Sequence, residues 1–301
     1  MKLSKRALIM VCALVLATTA SAFGTIAYLT STAHATNTFT VGNVEIKLDE
    51  TDVDENGNVK YPVDTDGDGT ADTIITVDDD GTITITDVDD PSAPPTVIEP
   101  TGTDDAGNPT YPSNVDVDGD GTADSITFDD DGNLVLNDGE DNKSVIEPGR
   151  DDGNEYRVVP GETYLKDPMV TVVKGSEESY VRMVVELTDY DKVATALGCT
   201  NNQLMTQLTN APGTDWSLQG VTEDTTNGKL VFEYRYANTV DASDAAKDIE
   251  LPPLFTEFRV PDTLDGEQLK SFENFAMVVH GHAIQAAGFA DADDAWDAFD
   301  E

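Results

Sequence analysis

Basic residues, histidines and cysteines are all scarce in this chain. Across 301 residues there are 17 Lys and Arg against 59 Asp and Glu, a formal net charge of −42. A surface that acidic repels phosphate backbones and anionic lipid headgroups, which excludes a nucleic-acid binder or a polybasic membrane module. The 2 cysteines, Cys12 and Cys199, cannot build a disulfide framework. With 3 histidines and no H-E-x-x-H, candidates for nucleophilic or zinc-hydrolase chemistry are few, and the chain is not expected to be an enzyme. Long apolar runs are missing too. The longest, about Ala7 to Ala17, falls short of the roughly 20 residues a spanning helix needs. Hydrophobic residues make up 39% of the chain, so a core requires the acid to be concentrated in one place. It is: Asp49 to Glu155 carries 32 acidic and 3 basic residues, a net of −29.

The one apolar run follows Lys2, Lys5 and Arg6 and precedes the small residues Thr18 to Ala22, the layout of a secretory signal peptide. Cys12 follows Val11 rather than a small residue, so lipidation is not expected. Cleavage near Ala27 leaves Cys199 as the sole cysteine, and the C-terminal AWDAFDE has neither a hydrophobic tail nor a sorting motif. Residues 1–27 are therefore expected to be a signal peptide. The mature protein is expected to be secreted, with no stable membrane span.

Strand patterns frame the acidic stretch. Phe39 and Val41 lie on one phase of Thr38–Leu48 and Val44, Ile46 and Leu48 on the other, with a bulge at Gly42-Asn43. Val181, Met183, Val185 and Leu187 line one strand face, opposed by Arg182 and Glu186. Leu230, Phe232, Tyr234 and Tyr236 line another, opposed by Glu233 and Arg235. Val170–Val173, Leu254–Val260 and Phe275–Ile284 add three strands, which together predict an antiparallel β-sandwich. Short helices are expected at Asp189–Leu197, Asn201–Leu208 and from Asp291, where Ala292, Ala295, Trp296 and Phe299 share a face behind a capping Asp291. The charges opposite the apolar faces read as exposed. The expected organisation is 28–50 as N-terminal segment and first strand, 51–150 as acidic insert, and 151–301 as the rest of the sandwich.

Within the insert a unit of about 50 residues occurs twice. Asp54–Gly81 recurs as Asp104–Gly132, and each copy runs on to Val-Ile-Glu-Pro (Val97–Pro100, Val145–Pro148). A unit so poor in apolar residues is not expected to stack a large core, which leaves metal binding as the stabiliser. Asp64, Asp66, Asp68 and Asp72 fit D-x-D-x-D-G-x-x-D around Gly69, and Asp116, Asp118, Asp120 and Asp124 fit it around Gly121. Calcium takes six to eight oxygens, and alternate carboxylates on a tightly turned loop can converge on one ion. The carbonyls of Thr70 and Thr122 stand at the seventh position. The twelfth holds Ile75 or Thr127 instead of the EF-hand glutamate, and strand patterns follow at Thr73–Val77 and Ser125–Phe128. The loops resemble integrin-type and thrombospondin-type calcium repeats, which use these ligands without a helix pair. The expected cofactor is Ca2+.

Weaker signals remain. His280 and His282 share a strand face, the spacing of a transition-metal pair or simply of two polar residues. Cys199, with no histidine nearby in sequence, reads as structural.

The run Gly24–Glu50 resembles the start of proteins exported through the SipW-type signal peptidase, a group that includes the TasA and camelysin (CalY) biofilm-fibre proteins. The matching positions are Asn37, Thr38, Phe39, Gly42, Val44 and Ile46, which implies cleavage near Ala27–Tyr28; a cut after Ala35 also satisfies a small-x-small rule. Val158–Val172, Ser179–Leu187 and Ala283–Phe299 resemble the clostridial branch of that group. The resemblance implies a jelly-roll-like sandwich and processing by the SipW-type peptidase. It also implies a matrix protein whose N-terminal segment, about Tyr28 to Asn37, completes the sheet of the next subunit by donor-strand complementation. The acidic insert departs from the family pattern. A monomeric adhesin-like module, with the insert presenting a binding surface, is the competing reading, and partners are either copies of this chain or other matrix and surface proteins.

Overall fold

The structure, a computed structural model, describes residues 30–33, 44–104, 107–117, 122–129, 132–137 and 143–301. The expected signal peptide, both cleavage positions and Asn37–Gly42 lie outside the described residues.

Strands β1 (Thr30–Ala33) and β2 (Ile46–Thr51) precede the insert. The insert carries β3 (Val59–Val63), β4 (Thr73–Val77), β5 (Ile83–Asp87), β6 (Thr96–Ile98), β7 (Gly102–Thr103), β8 (Pro109–Thr110), β9 (Ser125–Phe128), β10 (Leu134–Asn137) and β11 (Lys143–Ile146). The chain re-enters the sandwich through β12 (Arg150–Asp151), β13 (Thr163–Leu165), β14 (Met169–Val172) and β15 (Ser179–Thr188). Helix α1 (Tyr190–Leu197) and α2 (Leu204–Leu208) follow, then β16 (Trp216–Asp224), β17 (Lys229–Tyr236), β18 (Ile249–Glu250) and β19 (Glu257–Arg259). A short α3 (Gly266–Leu269), β20 (Ala276–Gln285) and α4 (Ala292–Asp300) complete the fold.

The result is an all-β, sandwich-like protein. One sheet has the order β1-β20-β15-β17-β16 and the other β12-β2-β14-β18, with β13 and β19 pairing separately. Alternation along the strands dictates the packing. Val181, Met183, Val185 and Leu187 of β15 and Leu230, Phe232 and Tyr234 of β17 share one core with Ile46 of β2 and Val170 and Val172 of β14. Gly281 lets the sheets close, because a Cβ there would lie 3.3 Å from Val170 Cγ2 and 3.5 Å from Ile46 Cδ1. The edge strand β16 escapes the sequence pattern because most of its side chains are exposed and its apolar residues do not alternate.

Arg182 departs from expectation. It lies on the outward face of β15, yet it is buried, because α4 packs over that face. Its guanidinium lies 4.5 Å from the Trp296 ring centroid and 4.8 Å from that of Phe299, and it forms a two-bond fork with Asp300 at 2.8 and 2.6 Å.

The insert departs more strongly. Its two repeats build a common core separate from that of the sandwich, with Tyr61, Val63, Ile75, Ile83 and Ile98 from the first and Val117, Ile126, Leu134 and Leu136 from the second. The repeats, expected not to stack a large core, build this one by facing one another and pooling their few apolar residues. The contact is reciprocal: the Tyr61 hydroxyl donates to the Gly132 carbonyl at 2.9 Å, and the equivalent Tyr111 donates to the equivalent Gly81 carbonyl at 2.8 Å. Such an exchange is the signature of a two-fold interface, here within one chain. Gly81 and Gly132, whose carbonyls receive the tyrosines, have matching φ of +83° and +82°.

Candidate metal centre

Many aspartates of the insert organise turns. Asp54 Oδ1 accepts the amides of Asn56 and Asn58, Asp78 Oδ1 that of Thr82, Asp104 Oδ1 that of Asn108, and Asp129 Oδ1 that of Asn133. These are side-chain-to-backbone bonds of the kind aspartate forms at chain reversals. They hold the repeats in shape before any ion is considered.

The first D-x-D-x-D-G-x-x-D loop joins β3 to β4. It brings Asp64, Asp66 and Asp72 together, one carboxylate oxygen from each lying within 4.8 Å of the others. Asp64 accepts from Gly67 N at 2.7 Å and Gly69 N at 2.8 Å, so the loop curls around its carboxylate. Gly67 and Gly69 have φ of +77° and +92°, which only glycine adopts readily. Asp72 Oδ2 accepts from the Thr65 hydroxyl and amide, each at 2.7 Å, and these bonds hold its carboxyl below the usual carboxylate range and therefore charged. Asp68 is outside the cluster. Its Oδ1 accepts from the Thr70 amide at 2.8 Å and from the Thr70 hydroxyl, which turns both residues toward each other.

The second loop repeats one of these features. Asp124, buried, accepts from Val117 N at 2.7 Å, as Asp72 does from Thr65 at the equivalent position. Asp116 and Thr122 are exposed, while Asp118 and Asp120 lie outside the described residues.

The all-oxygen donor set of the first loop fits a hard cation such as calcium rather than a thiolate- or imidazole-seeking metal. Three of the four carboxylates are already close. Asp64 would exchange its backbone bonds for the ion, and Asp68 would have to leave Thr70.

Two clusters were not foreseen from sequence. On the outer face of the large sheet, His280 Nε2 lies 3.3 Å from Glu186 Oε2, while His282 Nδ1 accepts from Arg182 Nε at 3.1 Å and its ring stacks on Phe299. The two histidines thus engage different partners. At the base of the insert, Glu50 and Lys166 form a buried pair with Nζ to Oε2 of 2.7 Å. A sequence signal for Glu50 exists: it continues the phase of Ile46 and Leu48, where an apolar residue belongs. Its partner is 116 positions away and carries no such mark. Cys199 is partly buried, and burial pushes its thiol up, away from a reactive thiolate.

No helix among the described residues is long and apolar enough to cross a membrane. Comparison of the chain with protein-family models, with curated proteins and with solved structures finds no match.

Proposed function

We propose that this chain is an exported structural protein of a Gram-positive cell surface or biofilm matrix, that it assembles by strand exchange, and that calcium stabilises its insert. The observation that supports assembly is β1. Thr30–Ala33 lies at the edge of the five-stranded sheet, antiparallel to β20, with Thr30 opposite Ile284 and Ala33 opposite Gly281. An edge strand offers a row of backbone donors and acceptors, and the ladder is the same whether the added strand comes from its own chain or from a neighbour. The segment that fills this edge falls within Tyr28–Asn37, the stretch to which the family resemblance assigns the donor role. The insert leaves from β2 and returns at β12, both in the other sheet, so it does not occupy the β20 edge.

Light scattering tests assembly. Mature protein beginning at Tyr28 is expected to gain fibre mass at high concentration, and protein beginning at Thr36 to remain monomeric. A monomer at high concentration with the authentic N-terminus overturns the assembly reading.

Calcium is tested separately. Extracellular sites bind at roughly 10⁻⁴–10⁻³ M, so at about 1 mM calcium a site of about 10⁻⁴ M contributes RT ln(1 + 10), about 1.4 kcal/mol. The insert is expected to melt higher in calcium than in chelator. Asp64→Asn together with Asp66→Asn should remove the first loop's share. No binding heat and no shift in melting would end the calcium reading.

A further inference from the structure

We propose that Lys166 and Asn154 are joined by an intramolecular isopeptide bond in the folded protein, formed by their own side chains with Glu50 carrying the protons. The three groups come from separate segments: Glu50 from β2, Asn154 from the chain after β12, and Lys166 from the position after β13. They meet at one carboxylate. Lys166 Nζ lies 2.7 Å from Glu50 Oε2 and 3.1 Å from Oε1, and Asn154 Nδ2 donates to the same Oε1 at 3.0 Å. The amine and the carboxamide are therefore neighbours across a single oxygen atom. Glu50 is 4% exposed and Lys166 8%, and the Tyr156 ring stands 5.8 Å from Nζ.

The carboxamide is also oriented. Its Nδ2 donates to the Thr51 carbonyl at 2.8 Å, and its Oδ1 accepts the Val53 amide at 2.9 Å. The Glu50 Oε1 atom further accepts the Asn154 amide at 3.0 Å, which fixes the backbone of the same residue. A backbone N–H aimed at Oδ1 polarises the carbonyl and stabilises the oxyanion that attack on Cγ creates.

The chemistry balances without a cofactor. A proton passes from Lys166 Nζ to Glu50, leaving a neutral amine with its lone pair. Nζ attacks Asn154 Cγ, and the carbonyl electron pair moves to Oδ1. Glu50 gives its proton to Nδ2 and takes one from Nζ, since both nitrogens are within its reach. The Cγ–Nδ2 bond breaks, the pair on Oδ1 re-forms the carbonyl, and nitrogen departs. Of the five hydrogens initially on Nζ and Nδ2, one stays on the new amide and three leave on ammonia. The fifth remains on Glu50 or leaves with the nitrogen as ammonium. Amine and amide do not exchange at a useful rate in free solution, but oriented groups react with effective molarities of roughly 10⁵–10⁸ M. The new amide is uncharged, and with the fifth proton kept on Glu50 the site holds neither an ammonium ion nor an unpaired carboxylate under the sandwich surface.

The position gives the bond a mechanical role. Asn154 lies just beyond the strand through which the insert rejoins the sandwich. Lys166 precedes Asp167, whose carboxylate accepts the Thr51 amide and hydroxyl at 2.8 Å each and the Arg150 guanidinium at 3.1 Å. A pull on the insert would thus reach the sandwich through a covalent link and bypass residues 155–165.

Intact-mass spectrometry of the purified, folded mature protein tests this. The mass is expected to fall below the sequence mass by one ammonia, and a digest should yield a branched peptide linking the Asn154 and Lys166 segments. Lys166→Arg and Glu50→Gln should each restore the full mass. A full sequence mass in the folded wild-type protein overturns the proposal, as does an ammonia loss located at Asn56-Gly57 or Asn227-Gly228 as a succinimide with no branched peptide. A branched peptide that persists in Glu50→Gln would overturn the role of Glu50.

Discussion

Leu134→Ala is expected to unfold both repeats of the acidic insert together while the sandwich stays folded. Leu134 is fully buried in the second repeat, among residues that come from both copies. Truncating a buried leucine costs about 2–5 kcal/mol. So small a core puts this unit of about 100 residues at the low end of the usual stability range, about 0.05 kcal/mol per residue or about 5 kcal/mol in all, which the upper part of that cost removes. The tyrosine exchange makes the loss common property. Once the second repeat opens, Tyr61 loses the Gly132 carbonyl and Gly81 loses the Tyr111 hydroxyl. The sandwich core contains none of the insert's buried residues, so it is not directly touched. Calorimetry should show two transitions in the wild-type protein and the loss of one in the variant. Hydrogen exchange should show β4 and β5, in the repeat that was not mutated, losing protection as fast as β9 and β10. A single transition that moves as a whole, or protection lost only in the second repeat, would refute the shared core.

What could be read from the sequence follows from the range of the physics involved. Some strands were legible to the residue: Thr73–Val77 and Ser125–Phe128 fall where short strand-like runs follow the two loops, and the Val181–Leu187 face falls where the period of 2 puts it. Helix α4 was legible through its cap, since Asp291 Oδ1 accepts the Asp294 amide at 3.1 Å and the apolar face behind it is buried. The calcium-loop pattern was legible as a motif, and three of its first four carboxylates do converge. Pairings between distant residues were not legible. The facing of the two repeats depends on Tyr61 meeting Gly132, 71 positions away, and neither residue looks unusual alone. Arg182 reads as an exposed charge because the helix that covers it is 118 positions further on. In each case local pattern fixed the element, and the burial came from which elements met.

Trp296→Ala is expected to cost about 3–5 kcal/mol and to release α4 from the sheet, the range for deleting a large buried aromatic. Trp296 is 1% exposed and packs with Ile284 of β20 and Ala295, while Phe299 closes the edge at 5.6 Å between ring centroids. The larger part of the effect runs through Arg182. Its side chain is 5% exposed because Trp296, Phe299 and Asp300 surround it. Without the indole the guanidinium loses the nearer of its two ring partners and part of its cover, and with the helix gone Phe299 and the fork to Asp300 go too. Asp300 itself is 54% exposed and Glu233 lies 3.8 Å from the same guanidinium, so Asp300→Asn, which keeps an acceptor, should cost less than Trp296→Ala. The pH dependence has a definite sign. The Arg182 hydrogen bonds hold the Asp300 carboxyl below its ordinary value, so its contribution is complete above the unfolded carboxylate range and disappears as pH falls through the lowered folded value. Trp216, buried in the sandwich core, is the remaining indole in the variant and reports on the sheet alone. Urea unfolding followed by its emission should show a lower midpoint, while amides of α4 exchange freely under native conditions. An unchanged midpoint with α4 still protected would mean that the helix is held by contacts other than Trp296 and its stack on Arg182.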